Sequence, residues 1–162
     1  MTSQLSSERI AELIRGAEQY IVANTPKPIS DDVRFSLRDN YSVDELFGQV
    51  GTSFVKSLSN LISEKHLRDS EVYKAAGIDR RLFSKIMSDF NYKPSKDTCI
   101  AFSMALRLNV AETNDLLEKA GYVLSHSIRR DLIIEYLIAN GEYDIGTANT
   151  VLTQMDEKQI GR

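Results

Sequence analysis

Cysteine occurs only once in this sequence, at position 99. A single thiol cannot form a disulfide within the chain, and it cannot provide the several cysteines of a cysteine-based zinc cluster. Cys99 lies in a stretch with the apolar spacing of an amphipathic helix, so we expect it to be a small core residue. Neither of these two cross-links is therefore predicted to hold the fold together.

Long apolar runs are also missing, since no segment approaches the run of about 20 apolar residues that a membrane-spanning helix requires. Residues 1–7 lack a basic start followed by an apolar core, so we predict no signal peptide and a cytoplasmic location. Hydrophobic residues nevertheless make up 42% of the 162 residues, which can supply a real core. These features predict a soluble protein with one globular body.

Reactive side chains are few and scattered. The two histidines, His66 and His126, are far apart in the sequence, and no second candidate metal ligand is adjacent to either. Common catalytic and nucleotide-binding motifs are missing. The acid pair Asp31-Asp32 falls in a predicted linker, where solvation explains it. We therefore expect no enzyme activity, no metal and no cofactor, which leaves a binding function.

The net charge of −3 conceals an uneven distribution along the chain. Residues 65–107 hold nine Lys/Arg and five Asp/Glu, a net charge of +4. Residues 1–64 hold six and nine, and residues 108–162 hold five and nine, so both flanking parts are acidic. Nucleic-acid-binding surfaces concentrate cations in this way. The alternative is a solvated basic face whose charge is offset by the acidic helices around it.

The cations surround a stretch, residues 69–95, with the pattern of two short helices joined by a tight turn. Gly77 is suited to end the first helix, and Asp79 is suited to cap the second. Small apolar residues that allow close helix approach recur in the first helix: Val72, Ala75 and Ala76. The inner stripe of the second helix is predicted to be Ile78, Leu82, Phe83 and Ile86. This layout is that of a helix-turn-helix.

The same stretch resembles the Cro/cI-type, or XRE-type, helix-turn-helix family. The resemblance covers roughly residues 54–121 and includes Thr98–Leu108 and Leu116-Leu117. It rests on a glycine-terminated first helix, a capped recognition helix and a Pro-Ser that opens the next helix: Ala75, Ala76, Gly77, Ile78, Asp79, Phe83, Ile86, Pro94 and Ser95. The resemblance implies a five-helix, lambda-repressor-like body and DNA binding by a dimeric bacterial transcription regulator. The chain also resembles, more closely, a helical module at the end of various multidomain bacterial proteins.

Three features differ from the family pattern. Asp69 stands where the family usually has a glutamine that contacts a phosphate, and its charge would repel one. Leu82 and Met87 occupy positions that are often polar in the family. The loop Asp89–Lys93 is longer than usual and contains two aromatic residues.

The segment before this body is predicted to add a helix and an arm. Apolar residues at helical spacing precede Pro26 and Pro28, which end the helix. Alternating apolar and polar residues at 33–37 then favour an extended arm, although a loose tether fits the same pattern. Residues 1–41 are thus predicted to be an N-terminal helix plus an arm.

The rest of the chain divides into the main domain and an extension. A capping box at 42–45 opens the helix-turn-helix domain, residues 42–121. Residues 122–162 are predicted to add two helices, the first of them apolar on nearly every side, so it must be covered by the domain or in a two-fold dimer contact. The tail, residues 156–162, is expected to fray. The predicted fold class is all-α.

Two binding functions are consistent with this arrangement. In the first, the helix at 79–88 enters the major groove of DNA, and six residues bind bases or phosphates: Arg80, Arg81, Ser84, Lys85, Lys93 and Lys96. In the second, the scaffold is an adaptor that docks a protein or a second copy of itself through Phe90 and Tyr92. These two aromatic residues could instead fold inward and seal the loop.

Overall fold

The computed structural model describes residues 6–26 and 53–161, in which all regular structure is α-helical. The all-α prediction is confirmed for these ranges. The predicted arm at 33–37 and the capping box at 42–45 lie outside the described residues. Within the described ranges, every helix is too short or too polar to span a bilayer. The eight helices are α1 Ser7–Asn24, α2 Phe54–Glu64, α3 Asp69–Ala75, α4 Arg80–Ser88, α5 Lys96–Ala105, α6 Val110–Lys119, α7 Arg129–Ala139 and α8 Ile145–Gln154.

The aromatic side chain of Phe102 on α5 is fully buried and packs against aromatic side chains of α2 and α4. Its ring lies 6.2 Å from that of Phe54 on α2 and 6.1 Å from that of Phe83 on α4. Cys99, one turn before Phe102 on α5, is fully buried, and burial raises the pKa of its thiol to about 12. The prediction that Cys99 is a core residue is confirmed.

Helix α7 is covered inside the chain by α1, α8 and α6. Its apolar side chains are buried on several sides: Leu132, Ile133, Ile134, Leu137 and Ile138. Helix α1 lies close to α7 at Gly16, where an added Cβ would overlap the side chain of Tyr136. The buried residues of all eight helices form one cluster. These apolar side chains of α7 are thus covered within the chain.

Six of the eight helices end in the same way, with a residue of positive φ: His66, Gly77, Arg107, Gly121, Gly141 and Asp156. After α3, for example, the N–H of Gly77 bonds to the carbonyl of Lys74, and the N–H of Ile78 bonds to the carbonyl of Tyr73. This pair of hydrogen bonds is a Schellman motif, which reverses the chain sharply. The predicted helix ends at Gly77, Gly121 and Gly141 are confirmed.

The expectation that the tail frays is wrong for residues 156–161. Ile160 is only 4% exposed and belongs to the main core. Its N–H donates to the side-chain oxygen of Asn149 on α8 at 2.7 Å. A buried side chain and satisfied backbone hydrogen bonds fix this segment against the body.

Candidate nucleic-acid interface

The turn between α3 and α4 is built from two local signals. Gly77 adopts a φ of 67°, which costs a residue with a Cβ free energy, and it lets the chain leave α3 at once. Asp79 then caps α4, because its Oδ1 accepts the backbone N–H of Leu82 at 2.8 Å. Helix α4 therefore starts at Arg80, close to its predicted start.

Helix α4 has a buried face and an exposed face. Phe83 and Ile86 are buried, and the Phe83 ring lies 5.4 Å from the ring of Tyr73 on α3. The polar side chains of the opposite face are all exposed: Arg80, Arg81, Ser84 and Lys85. Residues four apart on a helix are surface neighbours. Arg81 and Lys85, and likewise Arg80 and Ser84, therefore lie next to each other on the outside of α4.

A groove of about 530 Å³ runs between α3 and α4. It combines acidic, basic, hydroxyl and apolar side chains: Asp69, Ser70, Tyr73, Arg80, Phe83, Ser84, Met87 and Ser88. Asp69, the residue that differs from the family glutamine, thus lines the same groove as Arg80. Sequence analysis missed Ser70, Tyr73 and Ser88 as groove residues. Helical spacing could have identified them, because it determines which side chains of α3 and of α4 share the face that lines the groove.

The cations around α4 are free of acidic partners in the described part of the chain. Four exposed cations form no ion pair with any other described residue: Arg80, Arg81, Lys85 and Lys93. Arg80 and Arg81 are also the first two residues of α4, where the helix dipole is positive, and the acidic residue at this end is the N-cap, Asp79. Arg81 and Lys85 repel each other at i,i+4. The arrangement costs helix stability and places four exposed cations on and just after α4.

Lys96 has a different environment from the other predicted cations. Its ammonium group pairs with Oδ2 of Asp131 on α7, and its side chain is 24% exposed. The charge of Lys96 is therefore balanced inside the fold. For this reason, its predicted phosphate contact is not part of the proposal below.

The two loop aromatics are placed differently from each other. Phe90 is 57% exposed, whereas Tyr92 is half-buried and packs against the core cluster. The loop is shaped by Asp89, whose Oδ1 accepts the N–H of Asn91 and whose carbonyl accepts the N–H of Tyr92. Phe90 alone of this pair presents a largely exposed aromatic surface.

The histidines take part in local structure. His66 ends α2 with a φ of 54°. His126 places Nε2 2.7 Å from Oε2 of Glu135, a residue that is 7% exposed. Within residues 6–26 and 53–161, no group of three or more potential ligands is arranged to hold a metal ion.

The fold and the site define an all-α protein with an exposed basic helix in a two-helix motif. No protein-family model matches this chain, and no curated protein or solved structure is significantly similar to it.

Proposed function

We propose that this protein is a DNA-binding transcription regulator whose helix α4 reads the major groove. In this proposal α2 to α6 form a lambda-repressor-like, five-helix body. The observation that carries the proposal is a pair of exposed arginines, Arg80 and Arg81, at the positive end of the α4 dipole, neither of which forms an ion pair with another described residue. This placement destabilises the helix in isolation, and binding to a phosphate backbone would offset the cost.

Each exposed residue has a role that suits its chemistry. Arg81 or Arg80 makes paired hydrogen bonds to guanine, the commonest specific contact in the major groove. Ser84, one turn along the same face, bonds a neighbouring base or phosphate. Lys85 and Lys93 contact phosphates, which fixes the position of the protein on the duplex without reading its sequence. A dimer would place two copies of α4 about 34 Å apart on successive half-sites.

The direct test is duplex binding by the full chain over a range of salt concentrations. Selection from a random duplex library, followed by fluorescence anisotropy, gives the preferred site and its Kd. We expect log K to fall linearly with log salt, with a slope of about −0.9 per phosphate neutralised. The Lys93→Ala variant should weaken binding to all sequences alike and reduce the slope by about 1. Failure of the full chain to bind any duplex at about 50 mM salt would remove this function.

A second function, docking of a protein partner, is favoured by one specific feature of the same surface. Exposed Phe90 lies in the loop after α4, and acidic Asp69 lines the groove beside Arg80. Aromatic residues and arginine are enriched in protein interfaces. Phe90→Ser separates the two functions, because it should leave duplex affinity unchanged if α4 binds DNA. A partner complex that is lost in Phe90→Ser and kept in Arg81→Ala would favour docking.

A further inference from the structure

Residues 156–161 form an irregular segment, here called the strap, that runs from the end of α8 back toward α5. Arg130 on α7 holds the middle of the strap. Its guanidinium donates to the carbonyl oxygen of Lys158 at 2.8 Å and to that of Gln159 at 3.2 Å. Three side-chain nitrogens of Arg130 thus have partners, since the third pairs with Asp97 on α5 at 2.9 Å.

The end of the strap is held by two further residues. Asn149 on α8 accepts the N–H of Ile160 at 2.7 Å and donates to the Ile160 carbonyl at 3.4 Å. The second oxygen of Asp97, at the start of α5, accepts the N–H of Gly161 at 3.3 Å. The strap is therefore tied by side chains to α5, α7 and α8 together.

A cavity of about 330 Å³ separates the end of the strap from the turn that starts α4. Ile160 and Gly161 form one side, and the turn residues 76–79 with Leu82 form another. Most polar side chains around it already have partners in the fold: Asp79 with Leu82, Asp97 with Arg130, and Asn149 with Ile160. The cavity therefore offers few free polar groups to a ligand, and it provides space into which the turn could move.

We infer that the strap is a positioning element, which limits the movement of the α3–α4 turn and so fixes how α4 is presented. The strap holds the start of α5 through Asp97, and it closes the cavity behind the turn with Ile160. Loss of the strap would widen this space and let the N-terminal end of α4 move. The part of this inference that concerns affinity rests on the proposed DNA-binding function, whereas the restraint of the turn does not.

Two neighbouring arginines provide a matched test. Arg130→Ala releases the middle of the strap and its link to Asp97. Arg129→Ala removes the same charge, but Arg129 bonds the carbonyl of Met155, which precedes the strap, and the carboxylate of Glu157 near its start, so the middle and end of the strap keep their bonds. Because both variants lower the net charge equally, a general electrostatic effect on DNA binding is the same in each.

The first readout is amide hydrogen exchange over residues 76–82, measured on the full chain under conditions where circular dichroism shows it folded. We expect exchange to be about tenfold faster in Arg130→Ala and within about twofold of the parent in Arg129→Ala. The second readout is duplex affinity, which should weaken about tenfold in Arg130→Ala alone. Ile160→Ala keeps the strap's backbone bonds and removes the side chain that forms one wall of the cavity, so it should also speed exchange and weaken duplex affinity. This variant replaces Arg130→Ala in the test if Arg130→Ala does not fold.

The outcomes separate the two proposals. Equal exchange at residues 76–82 in all variants would overturn the restraint of the turn. Faster exchange with unchanged duplex affinity would overturn the positioning of α4. Faster exchange in a protein whose parent form binds no duplex would support the restraint while removing the DNA-binding function.

Discussion

The ammonium group of Lys96, at the start of α5, lies 2.5 Å from Oδ2 of Asp131, in the first turn of α7. Asp131 is 2% exposed, and the same oxygen accepts the N–H of Ser125 at 2.9 Å. The adjacent residues form a second pair of reversed polarity, in which Asp97 contacts Arg130 at 2.9 Å. The two pairs connect α5 to α7.

Replacing Asp131 with alanine should destabilise the protein strongly. The substitution leaves the Lys96 ammonium without its carboxylate in a mostly buried site, and it leaves the N–H of Ser125 without an acceptor. We expect the free energy of unfolding to fall by about 3 kcal/mol, as measured by urea denaturation.

The matched control removes both charges at once. The double variant Lys96→Met/Asp131→Leu replaces the pair by apolar side chains, so it should regain the part of the stability that Asp131→Ala loses through the unpaired Lys96, while the N–H of Ser125 still lacks its acceptor. An ordinary surface substitution changes the free energy of unfolding by about 0.5 kcal/mol at most. If Asp131→Ala lowered it by no more than this, the pair would contribute little to stability.

Lys96 also shows why part of the candidate site could not be predicted from sequence. Lys93 and Lys96 look equivalent in the sequence, since both follow α4 in a basic stretch. Only the tertiary fold brings Asp131, 35 residues later, against Lys96. Local signals did suffice for the cap at Asp79 and for the exposed face of α4, because helical spacing alone determines which side chains share a face.

Removing Arg81 should stabilise the fold and weaken the proposed DNA binding. Arg81→Ala relieves the unfavourable interaction with the helix dipole and the repulsion by Lys85, so we expect a gain of about 0.5 kcal/mol in the free energy of unfolding. The same variant should lose about 1–3 kcal/mol of discrimination at one base pair.

Thermal unfolding and anisotropy on single-base variants of the selected site measure the two effects of Arg81→Ala. Lys93→Ala is the control, because Lys93 lies outside α4 and should change affinity without stabilising the helix. A variant that is more stable and binds every duplex as the parent does would contradict the role of Arg81 in reading the sequence.

Gly77 and His66 occupy equivalent positions in the turns that end α3 and α2. Substitutions at these two positions should have opposite effects on stability. Gly77→Ala has free space around the new Cβ but places it at a φ of 67°, so we expect a loss of about 1 kcal/mol from backbone strain alone. His66 occupies the same position after α2 at a φ of 54°, and His66→Gly should gain up to about 1 kcal/mol. Urea denaturation of both variants measures the pair. A loss of stability in His66→Gly would mean that its side chain contributes more than the strain it carries.

The positive φ at the three helix ends without glycine, and the burial of the strap, were not foreseen for a common reason. His66, Arg107 and Asp156 adopt positive φ although nothing in their local sequence requires it. Tertiary packing of the following residue decides the conformation at such positions, as with Leu108, which is fully buried after Arg107. The strap has a single aliphatic residue, Ile160, in a polar tail. A lone apolar residue gives no periodicity, so sequence analysis could not predict its burial.

The buried thiol of Cys99 should make stability depend on alkaline pH. Its pKa is raised by burial from 9.0 to about 12 in the native protein, whereas the unfolded chain loses the proton near the ordinary value. Between these values the unfolded state binds fewer protons, so stability falls as the pH rises, by at most about 1.4 kcal/mol per pH unit. The stabilisation that this group provides is complete below the ordinary pKa of the thiol.

Comparison with Cys99→Ala isolates the contribution of the thiol. Other groups titrate in the same range, including Tyr20, whose pKa is raised by burial and by Glu135, but both proteins share them. Urea denaturation at about pH 8 and about pH 10 should show the stability advantage of the parent over Cys99→Ala shrinking as the pH rises. If the advantage were the same at both pH values, the thiol would titrate equally in the native and unfolded chains, and its burial in α5 would not govern its ionisation.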